Sequence, residues 1–229
     1  MTTQVAKRPL ISRPVLARVA PFAVYMGFLA VEDAARQWAG DVLDPRWLYP
    51  VKTVAVILTL LYFRREYTEL AVRADRRAWT WGVPVGLLVF VLWINLDWGW
   101  MNLGEGPGFD PRAADGGMDW ALVLPRIAGA ALVVPVMEEL FWRSFLMRWI
   151  DHHDFRNWEP ARVGLRAVLI SSALFAVEHT LWFAGLLAGL AYAWLYRAGG
   201  NLWIPTVSHA TTNLALGVYV VQSGEWRFW

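Results

Sequence analysis

Long apolar segments recur along the whole chain and limit the folds open to it. Several of them run for roughly 17 to 20 residues with almost no charge, which is the length that an α-helix needs to cross about 30 Å of hydrocarbon. Hydrophobic residues make up 57% of the 229 residues, whereas about 45 to 50% is usual for soluble domains. Many of the 16 tryptophans lie at segment ends, where indole rings favour the membrane interface. The sequence therefore predicts an all-α, polytopic integral membrane protein.

The apolar segments predict about seven transmembrane helices in a single membrane domain, 1–229. We divide this domain into N-terminal helices with an external loop, 1–119, and a helix core, 120–221, that carries the candidate catalytic residues. The first helix follows a basic stretch and is expected to be an uncleaved signal anchor, because no small-x-small cleavage site ends it. The predicted helices cover residues 14–31, 47–63, 79–96, 120–149, 163–181, 183–197 and 202–221.

Lysine and arginine are distributed unevenly between the loops. They are frequent near the N-terminus and in the loops at 64–77 and 148–166, whereas Arg112 is the only basic residue of loop 97–119. Basic residues close to helix ends favour the cytoplasmic side, so the alternation predicts a cytoplasmic N-terminus and an external C-terminus. Loop 97–119 is rich in Gly, Pro and Asp and should be irregular. It is expected to be either a solvated connector or a lid over an external opening.

Three ionisable residues stand inside one apolar segment. Glu138, Glu139 and Arg143 each cost roughly 2.5 to 3.5 kcal/mol at the bilayer centre on insertion scales, so they need partners or a water-filled cavity. Glu139 and Arg143 lie four residues apart and are predicted to pair on one helix face. Glu138 points about 100° away from Glu139. Pro135 frees a backbone carbonyl and bends the helix, which opens room for water beside the carboxylates.

Two later segments carry polar residues at four-residue spacing. Phe175 and His179 share one helix face, and His209 and Asn213 share another. Measured from the predicted cytoplasmic helix ends, Glu138 lies about 15 Å deep, His179 roughly 20 Å and His209 roughly 12 Å. These depths predict that Glu138, the two histidines and Asn213 meet in one cavity nearer the cytoplasmic face.

Such a cavity favours hydrolysis by an activated water molecule. A carboxylate beside an imidazole can hold water and take its proton next to a bound carbonyl. A second imidazole and an amide side chain can donate hydrogen bonds to the oxyanion that forms. The chain has no cysteine, no serine in an elbow motif and no His-Glu-x-x-His sequence, so thiol, serine and ordinary zincin mechanisms find no support.

Other interpretations remain open at this point. The same residues could bind a divalent metal, in a membrane protease or in a transporter, although no internal repeat of the transporter kind is visible. A non-catalytic immunity or scaffold protein could also keep these helices. Glu178 is expected to point away from the face of His179, and Arg126 to snorkel to the external interface. His152 and His153 are expected to lie in a solvated turn rather than a metal site.

The motifs Glu-Glu-x-x-x-Arg, Phe-x-x-x-His and His-x-x-x-Asn occur in this order on successive apolar segments. Together they resemble the CPBP family of intramembrane glutamic endopeptidases, which includes the CAAX-processing protease and bacterial relatives linked to bacteriocin processing or self-immunity. The resemblance covers about residues 125–216. In length and layout the chain is also similar to the CAAX-protease-related branch that accompanies bacterial exosortase and exopolysaccharide systems.

The resemblance implies a CAAX-protease-like intramembrane glutamic endopeptidase. It implies that Glu138 is the general base and that His179 shares the catalytic water. It also implies that His209 and Asn213 form the oxyanion site. Supporting roles would fall to Glu139, Arg143 and Phe175.

The resemblance also implies a setting for this enzyme. We expect a multi-pass protein of the bacterial inner membrane, with membrane lipid and a peptide or membrane-protein substrate as partners and no nucleic acid. No metal or other cofactor is expected. Ser144 stands where bacterial relatives commonly have glycine, and it is expected to affect only helix packing.

Overall fold

The part of the chain that the structure describes folds into helices joined by loops. This computed structural model describes residues 12–38, 44–104 and 108–229, and within them it contains no β-strand, only an isolated bridge in loop 97–119. We number the seven longer helices α1 Arg13–Trp38, α2 Leu48–Tyr62, α3 Arg76–Asn95, α4 Trp120–Asp151, α5 Leu165–Val177, α6 Trp182–Gly199 and α7 Trp203–Ser223.

The all-α prediction is confirmed, and each predicted segment coincides with one of these helices. The segment predicted at 163–181 ends early, at Val177, so His179 lies in the connection to α6. Helices α1, α3 and α4 are long and apolar enough to cross a membrane. That all seven helices cross the membrane, and that the N-terminus is cytoplasmic, stay predictions. Most of the basic stretch before α1, on which the signal-anchor prediction depends, lies outside the described residues.

Helix α4 is not a regular α-helix along its length. It widens into π-helix at Gly129–Val133 and again at Leu140–Met147, on either side of the α-helical Val134–Glu139. In the first wide turn the Val134 N–H donates to the Gly129 carbonyl, five residues back. The next carbonyl in that register belongs to Ala130 and would need an N–H from Pro135, which proline lacks. The proline therefore disturbs the backbone close to Glu138, as the sequence predicted.

Close helix crossings bring the later helices together beside α4. A Cβ atom added to Gly86 of α3 would collide with the backbone oxygen of Ser208 in α7. One added to Gly189 of α6 would lie 3.1 Å from Ser172 of α5. Small residues at such crossings let membrane helices approach closely. As a result, α5, α6 and α7 pack against the irregular part of α4.

The arginine-rich loops gather at one end of the helix bundle around a buried polar network. Arg18 pairs with Glu69 at 2.6 Å, and its Nε donates to the Ser144 hydroxyl at 3.2 Å. Arg148 also donates to Ser144, at 2.7 Å, and Ser144 hydrogen-bonds to Glu69. Burial alone would raise the pKa of Glu69, but the hydrogen bonds from Arg18 and Ser144 and the Arg18 charge lower it overall. The prediction that Ser144 affects only helix packing was therefore wrong, because its hydroxyl connects three charged residues.

Loop 97–119 lies at the opposite end of the bundle and is irregular, as predicted. The Phe109 N–H donates to the Trp226 carbonyl at 3.2 Å, and the Leu103 N–H donates to the Thr180 carbonyl at 2.9 Å. The described part of the loop therefore packs on the α5–α6 connection and on the residues that follow α7. Loops predicted to share one side of the membrane thus share one end of the bundle.

Candidate active site

A cavity of about 270 Å³ lies between α4, α7 and the α5–α6 connection. Its lining includes the four residues predicted to meet, which are Glu138, His179, His209 and Asn213. The lining continues to Arg126, Phe228 and Trp229, so the cavity extends beyond the four residues, and its predicted position nearer the cytoplasmic face stays a prediction. These three residues lie at the end of the bundle that was predicted to be external.

Glu138 provides a buried carboxylate with unused hydrogen-bonding capacity. The residue is 5% exposed, and its Oε2 atom makes no hydrogen bond to any described residue. One ligand atom of Glu138, one of Glu178 and one of His179 all lie within 4.8 Å of one another. Buried carboxylate oxygens are costly unless they are hydrogen-bonded or bind a cation. Glu138 is therefore placed to bind water or a substrate group beside His179.

Glu178 joins this cluster, although the sequence predicted that it points elsewhere. Helix α5 ends at Val177, and residues 178–181 form a turn into α6, so the helical angle between neighbouring residues no longer separates Glu178 from His179. Two carboxyl groups this close inside a cavity are expensive to ionise together, so they are expected to share a proton. No local sequence signal marks the early end of α5, and sequence reasoning therefore missed Glu178.

His179 is oriented by the residue four positions before it. Its Nδ1 lies 2.7 Å from the Phe175 carbonyl oxygen. Because a carbonyl only accepts hydrogen bonds, Nδ1 carries the proton and Nε2 is the acceptor in the neutral ring. The Phe175 and Trp93 rings enclose the imidazole, with ring centroids 4.6 Å and 5.3 Å away. His179 can therefore accept a proton from water or ligate a cation through Nε2.

His209 contacts Glu139 directly rather than Glu138. Its Nδ1 lies 3.1 Å from Glu139 Oε1, while Glu139 Oε2 lies 3.3 Å from Arg143 Nε. The predicted Glu139–Arg143 pair is confirmed, but Glu139 also holds His209. With Nδ1 held by the Glu139 carboxylate, Nε2 is left for a ligand. The Tyr192 ring stacks on this imidazole at 4.9 Å between centroids.

Arg143 is held by one carboxylate and by aromatic faces. Its side chain is fully buried, and its guanidinium nitrogens make no hydrogen bond of good geometry to any described residue. The guanidinium carbon lies 4.9 Å from the Phe175 ring centroid, a cation–π contact. The Phe175 ring also lies 6.2 Å from the His209 ring. Phe175 therefore contacts Arg143 and lies beside both histidines, which is consistent with a supporting position.

Asn213 stabilises the carbonyl that Pro135 leaves without a backbone partner. Its Nδ2 donates to the Ala130 carbonyl at 2.8 Å. One N–H of the amide is committed in this way, while the other N–H and Oδ1 remain for the cavity. Asn213 thus links α7 to the first wide turn of α4 as well as lining the site.

Replacing Asn213 with alanine should lower the free energy of unfolding by about 1 to 3 kcal/mol, because the Ala130 carbonyl would lose the amide donor that takes the place of the missing Pro135 N–H. Asn213→Asp should be no better, since a carboxylate cannot donate. The change is measurable by thermal unfolding in detergent. The control is Asn95→Ala, because the Asn95 amide bonds to the Val91 carbonyl at an exposed position. Equal stability of Asn213→Ala and the wild type would contradict this role.

His152 and His153 lie away from the cavity. Both are exposed, and the His152 ring stacks on the Trp158 ring at 4.9 Å between centroids. Across residues 12–38, 44–104 and 108–229, the cluster of potential metal ligands is the one around Glu138. This placement agrees with the predicted solvated turn.

Comparison with known proteins identifies one similarity. Residues 120–215 match the family model described as "Rce1-like: Type II CAAX prenyl endopeptidase Rce1-like". The matched range begins with α4 and includes every candidate site residue from Glu138 to Asn213. No curated protein and no solved structure matches the chain. The similarity to the exosortase-associated branch stays a prediction.

Proposed function

Because residues 120–215 belong to the Rce1-like family of CAAX endopeptidases, we propose that this membrane protease is an intramembrane endopeptidase that uses a glutamate- and histidine-activated water. The observation that carries the mechanism is the Glu138 carboxylate, buried within 4.8 Å of His179 in the cavity. The substrate would be a peptide or a segment of a membrane protein. The cell compartment would be the bacterial inner membrane, with all seven helices crossing it.

The first chemical step uses Glu138 and His179. His179 accepts a hydrogen bond from water through Nε2, because its Nδ1–H is held by the Phe175 carbonyl. Glu138 takes a proton from that water, and the water oxygen forms a bond to the peptide carbonyl carbon. The carbonyl π electrons move to its oxygen and produce an oxyanion.

The second step resolves the tetrahedral intermediate. An Nε2–H of His209 and the Asn213 amide donate hydrogen bonds to the oxyanion, while Glu139 holds His209 through Nδ1. When the oxyanion electrons return, the C–N bond breaks and the leaving nitrogen takes the proton held by Glu138. Arg143 balances the Glu139 charge and so preserves the orientation of His209.

The Glu138, Glu178 and His179 cluster favours a second candidate, a metal-dependent membrane protease. Catalytic zinc commonly uses three protein ligands and one water, and two carboxylates with one imidazole match the ligand types that zinc and related divalent ions accept. In this alternative Glu138 would be a metal ligand rather than the base. The two candidates therefore differ in what chelation does to activity.

The purified protein in detergent should cleave peptides derived from membrane segments, and cleavage should continue after exposure to EDTA or 1,10-phenanthroline. Activation of water by Glu138 and His179 requires no metal, so the rate should not change. Mass spectrometry of the products measures the cleavage. A zinc metalloprotease treated in the same detergent is the control for effective chelation. Loss of activity that zinc restores would reject the metal-independent mechanism in favour of the second candidate.

A further inference from the structure

Arg126 faces the cavity at the end opposite Glu138, which corrects the snorkelling prediction. Its guanidinium carbon lies 4.2 Å from the Phe109 ring centroid, 4.7 Å from that of Tyr49 and 5.5 Å from that of Trp229. No ion pair or hydrogen bond joins the Arg126 guanidinium to another residue that the structure describes. The nearby Glu32 carboxylate pairs instead with Lys52, at 3.0 Å. Arg126 is therefore a cation held by aromatic faces with its hydrogen-bond donors unused.

The surroundings of Arg126 are suited to an anion. Tyr25 and Tyr49 line the same end of the cavity, and within the described ranges neither hydroxyl donates to another residue. The Lys52 ammonium lies over both rings, 4.4 Å and 4.9 Å from their centroids. Lys52 and Arg126 contribute two positive charges against the single negative charge of Glu32. One positive charge and two phenol donors thus remain available at this end.

A carboxylate is the anion that this arrangement fits best. Guanidinium groups bind carboxylates through two parallel hydrogen bonds. A guanidinium on aromatic faces is weakly hydrated, so it loses little hydration free energy when it binds an anion. Arg126 and Glu138 are separated by about 18 Å along α4. An extended peptide advances about 3.3 to 3.6 Å per residue, so a chain whose reacting carbonyl lies at Glu138 can reach Arg126 within a few residues.

We propose that Arg126, with the Tyr25 and Tyr49 hydroxyls, forms a subsite that binds a carboxylate of the substrate peptide a few residues from the cleaved bond. The inference rests on the proposed function, since it assigns that substrate a required chemical group. The carboxylate can come from the peptide C-terminus or from an acidic side chain near it. Arg126 is then a residue that determines substrate specificity at a distance from the reacting atoms.

The test measures binding without cleavage, using the Glu138→Gln protein in detergent and a dansylated hexapeptide of alanine and leucine. The free-acid peptide should bind about 10- to 100-fold more tightly than its C-terminal amide, which is the effect expected of charge-assisted hydrogen bonds. Adding Arg126→Gln should remove this difference, and Arg126→Lys should keep part of it. Arg162→Gln is the matched control, because Arg162 pairs with Glu159 on the exposed surface.

Two further arms identify the source of the carboxylate. A C-terminally amidated peptide with aspartate as its last residue should match the free acid if a side chain is accepted, and should match the plain amide if only the C-terminus is accepted. Either result supports the subsite. If phosphatidylglycerol abolishes the difference between acid and amide, a lipid headgroup occupies the site and the proposal is overturned.

Equal binding of acid and amide by the protein with Arg126 intact also overturns the proposal. This comparison does not depend on the folding of any Arg126 variant. It also needs no turnover, so it remains decisive if the wild-type protein cleaves no peptide. Failure of the subsite and failure of the proposed hydrolysis are therefore distinguished.

Discussion

Glu138→Gln should lose peptide hydrolysis, with kcat reduced by about 10²- to 10⁴-fold, the range expected when a general base is removed. Glutamine keeps the volume of the side chain but cannot take a proton from water. Substrate contacts elsewhere in the cavity are unchanged, so KM should move little while kcat falls. The rate of peptide cleavage in detergent, measured by mass spectrometry over a range of peptide concentrations, separates the two constants.

The Glu138→Gln protein should remain folded. Glu138 is buried, and its Oε2 makes no hydrogen bond to a described residue, so a neutral amide replaces a carboxyl group without breaking a protein contact of that atom. Circular dichroism and gel filtration in detergent should therefore match the wild type. An inactive but unfolded variant would not support the assignment of Glu138 as the base.

Arg143→Met should cause the largest loss of stability, with a free energy of unfolding lower by about 3 to 5 kcal/mol, because breaking a buried ion pair leaves an uncompensated charge. Both side chains of the Glu139–Arg143 pair are 0% exposed. Among the described residues, Glu139 would then retain His209 as its partner, and the orientation of that imidazole would change with the charge. Denaturant titration in detergent measures the stability, and the cleavage rate should fall as well.

Two matched variants separate this effect from simple loss of a side chain. The double variant Glu139→Gln with Arg143→Met removes both charges and should recover much of the stability, because a buried pair can often be replaced by neutral groups at little cost. Arg162→Met removes an exposed ion pair with Glu159 and should lower the free energy of unfolding by at most about 1 kcal/mol. If the double variant is no more stable than Arg143→Met, the loss of stability does not come from the uncompensated charge of Glu139.

The helices could be predicted because apolar length and period are local properties of the sequence. Each predicted segment coincides with a helix, and the basic loops do gather at one end of the bundle. The early end of α5 could not be predicted, since Ala173–His179 is as apolar as the turns before it and contains no proline or glycine. That early end is what brings Glu178 to the site.

The candidate site could be predicted in composition but not in its contacts. Four-residue spacing correctly paired Glu139 with Arg143 and placed His209 and Asn213 on the cavity side. The contact of His209 with Glu139 depends on which side chains of α4 point toward α7. The two π-helical turns of α4 rotate these side chains relative to their positions in a regular α-helix. A regular helical period carries no information about such turns.

Arg126 illustrates a different limit of sequence reasoning. Snorkelling is the ordinary behaviour of an arginine near a helix end, and the sequence offered no partner that would draw it inward. The aromatic rings that hold it come from loop 97–119, from α2 and from the residues after α7. Only the folded arrangement of these distant segments places the guanidinium in the cavity.

The most direct test of water activation by Glu138 compares the cleavage of one peptide by the wild type, Glu138→Gln and Glu178→Gln. Glu178→Gln should retain a substantial part of the activity, because an amide resembles the protonated carboxyl group expected beside an ionised Glu138. Glu138→Gln should be inactive although folded. Cleavage by Glu138→Gln at the wild-type rate would contradict the mechanism, as would equal inactivity of both variants together with zinc-dependent activity of the wild type.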